Sequence, residues 1–217
     1  MTALRHFVYK DSMNIRLHRG DLPDLSRYTG PSVAIDTETM GLDAHRDRLC
    51  VVQLSPGDDS ADIVQIPPTG VDAPNLKRLL GDPGILKIFH FARFDIGMLN
   101  NALGVMAEPL YCTRTASRIA RTYTDKHGLK DLARELLGIE MSKQQQSSDW
   151  GADKLTDAQI AYAASDVLHL HALKEKLDTI LSREGRMELA QACFRFLPAR
   201  ARLDLAGWAA EDIFAHS

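Results

Sequence analysis

Up to about residue 113 the apolar positions fall in short runs closed by turn formers, and from about residue 114 they recur with helical spacing. Few architectures accept that order. Pro31 and the YTGPS turn lead into VAID, RLCVVQLS covers 48–55, SPGDDS turns the chain at 55–60, and ADIVQI fills 61–66 before Pro67 and Pro68 end it. Three such runs in close succession predict an antiparallel meander. A helix from about Pro74 to Leu80, stopped at Gly81, precedes a fourth strand, ILKIFHF at 85–91. A second helix over 92–103, ending near Gly104, precedes a weak fifth strand, PLYCT at 109–113. The best-defined later helix begins at LTDAQ, where Thr156 caps and Gln159 completes a capping box, and is expected to run to about Leu181. Strands first and helices last, with alternation between, predict an α/β domain whose mixed five-stranded central sheet is flanked by helices.

A chain of 217 residues suits one or two domains, and 45% hydrophobic with 25% charged residues is ordinary for a protein that buries a core. Net charge is −3, which argues against gripping long nucleic acid through an extended basic surface. A nucleic-acid substrate held through metal ions and a few local contacts stays open. Cys50, Cys112 and Cys193 are far apart and odd in number, as expected of thiols in a reducing compartment. The first twenty residues lack the apolar core of a signal peptide, and no stretch approaches a membrane span. A soluble cytoplasmic protein with no membrane partner is expected.

The strand VAIDTE carries Asp36 and Glu38 two residues apart, so alternation points both carboxylates the same way. Like charges that close repel, and partial burial makes both more costly. No Lys or Arg occurs between residues 32 and 45, which makes a bound cation the economical compensation. Carboxylate ligation suits Mg²⁺ or Mn²⁺. A bare DxE is also read as two solvated acids at a strand end. Asp95, in FHFARFDIGML, is either a site acid or a helix-start residue stabilised by the dipole. His90, at the end of the preceding strand, is either a structural hydrogen-bonding residue or a ligand. Tyr162 and Asp166 share a helix face with Ala163, Leu170, Leu173, Leu177 and Leu181, so Asp166 lies inside an apolar stripe. That placement calls for a charged partner, or for a hydrogen bond from a neighbouring helix. Should Asp36, Glu38, Asp95 and Asp166 converge, they could hold two Mg²⁺ ions about 3.5–4 Å apart, the arrangement that clamps an in-line phosphoryl displacement. Tyr162 could then orient the attacking water.

DTE, then H-x4-D, then Y-x3-D within YAASDV resemble the three motifs of the DEDDy 3′-to-5′ exonucleases, which include ribonuclease D. The resemblance implies a ribonuclease H-like fold and two Mg²⁺ ions, for which Mn²⁺ can substitute. It makes Asp36, Glu38, Asp95 and Asp166 metal ligands and Tyr162 the residue positioning water. HRDRLCVVQLSPGD, RTYTDKHGLK, SKQQQSSDW, YAASDVLHLH and DIFAHS together resemble the nano-RNase C family, from about residue 14 to the C-terminus. That family implies hydrolysis of 5′-phosphorylated diribonucleotides, including pGpG, to mononucleotides, and a ring-like homo-octamer. Residues 1–13 are an unassigned extension, 14–195 the exonuclease domain, and 196–217 an apolar tail expected to dock on the domain or on a neighbouring subunit. A chain of 217 residues is expected to lack the helical RNA-binding domains that follow the catalytic domain in ribonuclease D. Two alternatives stay open: a general ribonuclease D-like enzyme trimming longer single-stranded RNA or DNA, and a nucleotide-binding scaffold on an inactive nuclease fold. The five motif residues speak against the second.

TETMGL is similar to the oligoribonuclease motif whose leucine wedges between two bases, which gives that part to Leu42. The terminal phosphate of a dinucleotide carries nearly two charges, so local donors can select for it. Candidates are His90, Arg93, Lys143, Gln146, Ser147 and Ser148, each of which also reads as a solvated polar residue. Trp150 is expected to pack a helix junction. Arg114, Arg118 and Arg121 form a basic stripe, read as a solvated helix face or as a surface toward a neighbouring subunit.

Overall fold

The computed structural model describes residues 14–142 and 144–216, so the extension at 1–13 and the candidate Lys143 lie outside the described residues. Strands β1 (Asn14–Arg19), β2 (Ser32–Thr39), β3 (Leu49–Ser55) and β4 (Ser60–Gln65) come first. Helix α1 (Pro74–Gly81) leads to β5 (Leu86–Phe89), and α2 (Ala92–Leu103) to β6 (Leu110–Cys112). Then follow α3 (Thr113–Ala120), α4 (Leu129–Leu132) with a π-helical continuation to Leu137, α5 (Asp157–Leu168), α6 (Leu170–Arg183) and α7 (Met187–Leu203). A π-turn over Asp204–Trp208 continues α7.

One sheet holds six strands in the order β1-β4-β3-β2-β5-β6. β2, β3 and β4 form the expected antiparallel meander, while β5 and β6 add to β2 in parallel and β1 adds in parallel to β4. The sheet is mixed as expected, but the count of five is corrected to six. β1, NIRLHR, was missed because it offers only two apolar residues and its partner lies over forty positions away. What fixes it is Asp62 on β4, buried to 3% exposure. That carboxylate accepts hydrogen bonds from Arg16 (2.7 and 3.0 Å) and Tyr28 (2.7 Å), with the His18 ring at 2.8 Å. A buried acid so well supplied ties the edge strand down, and the pattern of apolar residues carries no trace of it.

Every residue of β3 is buried, as befits a strand in the middle of the sheet with both faces covered. α5 packs on β2, β3 and β4, whereas α6 packs on α3 and α7. The helix expected to run unbroken to Leu181 therefore breaks at His169, with φ −102° and ψ −5°, as the chain leaves the sheet for the helical layer. The stripe itself survives the break. Ala163, Leu170, Leu173, Leu177 and Leu181 are all fully buried. Thr156 and Gln159 form the capping box at the start of α5. Among the described residues no helix is long and apolar enough to cross a membrane.

Candidate active site

β2 ends at a register shift between Glu38 and Thr39, where it parts from the ladder with β3. A bulge at that point re-aims side chains beyond the sheet. Asp36 and Glu38 leave the same face, as alternation requires. α5, laid across the sheet, brings Asp166 down to meet them, and one carboxylate oxygen from each of Asp36, Glu38 and Asp166 lies within 4.8 Å of the others. Asp95, in the first turn of α2, accepts a hydrogen bond from the Thr37 hydroxyl at 2.7 Å. It is 3% exposed and does not line the cavity into which the other three open.

That cavity, about 370 Å³, is lined by Asp36, Glu38, Asp166 and Tyr162, and by Arg114 and Lys130 among the others. Among the described residues none of the four acids has an ion-pair partner. Their pKa values show the consequence. Burial, and then Asp36, Asp166 and Asp95, push Glu38 up to about 10. Burial lifts Asp36 to about 7 against a hydrogen bond from the Thr37 amide. Asp95 and Asp166 are raised well above the usual carboxylate range, by burial first and by Asp36 second. Hard oxygen donors that crowded, with no ion-pair partner among the described residues, fit a divalent metal ion. Burial, then Asp166, raises the Tyr162 phenol, so it keeps its proton at neutral pH and is available as a donor. Trp150, 3% exposed, backs Tyr162 with ring centroids 6.0 Å apart.

The phosphate candidates separate. His90 lines the cavity, but burial and then Arg114 lower its pKa to about 3, so it is neutral. Its tautomer follows from Thr113, whose single hydroxyl proton goes to the Phe89 carbonyl at 3.1 Å. The 2.9 Å contact between Nδ1 and Thr113 Oγ1 is then donated by the histidine, which leaves Nε2 as a lone pair. Arg93 is committed elsewhere, to Asp204 at 2.5 and 2.8 Å and to the Ala209 carbonyl at 2.9 Å. Gln146 reaches the cavity wall. Ser148 accepts from Gln159 at 3.2 Å and so belongs to the support of α5. Ser147 is exposed and does not line the cavity, and Leu42, 85% exposed, lines an adjoining one.

Sequence reasoning did not single out Lys130, and it misread the arginine stripe. Arg118 is solvated, but Arg114 faces the cavity with its guanidinium 5.0 Å over the Phe91 ring. Arg121 is fully buried and pairs with Glu135 while donating to the Lys126 carbonyl at 2.9 Å. A helix of eight residues packed on two sides cannot present a uniform face to water. The i, i+4, i+7 spacing was visible, but which side carried neighbours was not.

A family model described as 3′-5′ exonuclease matches residues 24–182. The ribonuclease D of Gluconacetobacter diazotrophicus is 38% identical over 158 residues, which are 73% of this chain and 40% of that protein. The chain thus spans about two fifths of the length of the curated relatives it matches. Among solved structures, Brucella melitensis NrnC with bound Mg²⁺ is similar with a TM-score of 0.92 and 57% identity, over 94% of this chain and all of that one. The same Brucella protein bound to pGG gives a TM-score of 0.93 and 59% identity, over 95% of this chain and all of that one. Escherichia coli RNase D follows at 0.78 and 26%, over 88% of this chain and 51% of that one.

Proposed function

This chain belongs to the 3′-5′ exonuclease family as a short, ribonuclease D-like member, and we infer that it hydrolyses short 5′-phosphorylated oligoribonucleotides, chiefly dinucleotides and pGpG among them, to nucleoside monophosphates. The observation that carries this reading is the trio Asp36, Glu38 and Asp166, without an ion-pair partner among the described residues, opening into a cavity that Arg114 and Lys130 also line. The trio together with Asp95, whose charge bears on Asp36 and Glu38, would hold two Mg²⁺ ions, with Mn²⁺ able to substitute. When bound, such ions stabilise the charge that develops on the attacked phosphate. Tyr162 donates its hydroxyl toward the incoming water and fixes its line of approach. The water oxygen bonds to phosphorus and loses a proton as the bond to the 3′-oxygen of the preceding nucleotide breaks, and that oxygen takes up a proton from solvent and leaves as a hydroxyl, so that protons balance.

Arg114 and Lys130 have no carboxylate partner among the described residues, and they take the part of holding the substrate's terminal phosphate, with Gln146 beside them. Cations and anions lining one cavity limit the reach of the substrate, and a cavity of about 370 Å³ suits one nucleotide at a time. Hydrolysis of 5′-labelled RNAs of two and seven nucleotides, in Mg²⁺ and in EDTA, tests the reading. Faster loss of the dinucleotide is expected, with none in EDTA. Equal rates, or faster loss of the heptamer, would defeat the dinucleotide preference and favour ribonuclease D-like trimming of longer RNA or DNA.

The same reading makes the protein a cytoplasmic homo-octamer. Exposed Leu189, Phe196, Trp208 and Phe214 give apolar faces that subunit contacts would cover. A light-scattering mass of eight chains is the expected result. The bonds from Arg93 to Asp204 and Ala209 support docking of the 196–217 tail on its own domain.

A further inference from the structure

We propose that Gln53 is a positioning residue of the metal centre: buried in the middle of the sheet, it fixes the orientation of the Asp36 carboxylate before a divalent ion binds. The inference rests on the metal-dependent reading above and concerns the acid on which that reading leans most. The charge of Asp36 bears on each of its companions, Glu38, Asp95 and Asp166. Acids that crowded repel one another, and a carboxylate held only by its own side-chain bonds answers by turning away. A metal site formed in advance therefore requires a second group to hold Asp36.

Gln53 stands directly opposite Asp36 in the antiparallel ladder of β2 and β3, so the two side chains leave the same face of the sheet. Its Nε2 donates to Asp36 Oδ2 at 3.3 Å, and among the described residues no other side chain donates to that carboxylate. The amide faces one way only, because turned over it would set its carbonyl oxygen against an anion. Gln53 is fully buried and does not line the acidic cavity, so it meets neither ion nor substrate and acts through Asp36. Packing is the poorer explanation of its place. β3 otherwise buries Leu49, Cys50, Val51, Val52 and Leu54, with Ser55 at its end. An amide in that company costs the fold unless both of its ends are bonded, and Gln53 Oε1 is buried with no partner among the described residues. A Leu or Met would suit the core better. What Gln53 supplies is a neutral donor, which steadies an anion without the positive charge by which a Lys or Arg would compete with the metal.

The test is Gln53→Met, which keeps the length and loses the donor, in the full chain with Mn²⁺ alone as the probe. A titration that follows the paramagnetic resonance of free Mn²⁺ should show Kd raised about tenfold or more, the usual worth of a group that orients a metal ligand. Thermal melts in EDTA should show a Tm no lower than that of the unsubstituted protein, because the orphaned oxygen goes with the amide. Leu54→Val, the next residue and equally buried, should do the reverse, lowering Tm while leaving Kd unchanged. An unchanged Kd in Gln53→Met would overturn the inference. So would a Gln53→Met chain that melts lower in EDTA or fails to fold, since Gln53 would then be a structural residue, and so would an equal loss of Mn²⁺ affinity in Leu54→Val. An unsubstituted protein that bound no Mn²⁺ would end the metal reading and this inference with it. Binding of Mn²⁺ without hydrolysis of any dinucleotide would overturn the nuclease reading alone, and the two Kd values would still decide the part of Gln53.

Discussion

Replacing Asp36 with asparagine should stabilise the metal-free protein at pH 8 while removing its response to Mg²⁺. Asp36 is ionised near pH 4 in an unfolded chain but only near pH 7 when folded, because burial beside other acids penalises its charge. The sign follows from linkage: the folded state favours the protonated carboxyl, so stability is fully present below about pH 4 and is lost as pH rises through about 7. Complete exclusion from water would make the loss on the order of 4 kcal/mol at pH 8. Asp36 keeps part of its surface in the cavity, where solvent screens it, so about 2 kcal/mol is the fairer figure. Asparagine keeps the shape without the charge. For a chain of this size each kcal/mol moves Tm by about 2–4 °C, which puts Asp36→Asn about 4–8 °C above the unsubstituted protein at pH 8 in EDTA. At pH 5 the gap should shrink to about two fifths of its size at pH 8, because part of the charge penalty is already present one pH unit above the unfolded pKa. With Mg²⁺ at about a hundred times its Kd the unsubstituted protein should gain about 2.7 kcal/mol, and the variant much less. Thermal melts at the two pH values, with and without Mg²⁺, measure all four quantities. A metal-free variant that melts below the unsubstituted protein at pH 8, or by the same margin at both pH values, would refute the uncompensated cluster.

Other substitutions probe the remaining parts. Asp166→Asn should lose about 10²-fold or more in kcat, whereas Tyr162→Phe should keep the fold and the Mg²⁺-induced rise in Tm but lose rate; full activity in Tyr162→Phe would remove it from the mechanism. Arg114→Ala should raise KM for a 5′-phosphorylated dinucleotide at least tenfold while changing KM for the 5′-hydroxyl form much less, a difference steady-state kinetics would show directly. Arg121→Met should cost about 2–3 kcal/mol in urea unfolding, because the half-buried Glu135 carboxylate loses its partner; an unchanged midpoint would show that pair to be without weight.

Much of this molecule was legible before any coordinates. The apolar runs at 33–36, 48–55 and 61–66 are strands because branched and apolar residues confined between turn formers have little else to become. The capping box at Thr156 and Gln159 is a local bond between residues three apart, and it stands where the sequence put it. The apolar members of the stripe from Ala163 to Leu181 are all buried, because periodicity records which side faces the core. β1 is different. Its place depends on Asp62 gathering Arg16, His18 and Tyr28 from separate segments, and a polar bond of that reach leaves no periodic mark.

The site divides along the same line. Sequence alone determined that Asp36 and Glu38 leave one face of a strand and that Asp166 sits one helical turn from Tyr162 in an apolar stripe, since both follow from the repeat of a single element. Only the tertiary structure decided which charges meet. It sent Arg93 to Asp204, turned Arg114 into the cavity and Arg121 into the core, and bonded Asp95 to Thr37. The physical reason is one of range. Backbone geometry fixes side-chain direction over a few residues, but a charge settles its energy against whatever the fold brings within a few ångströms.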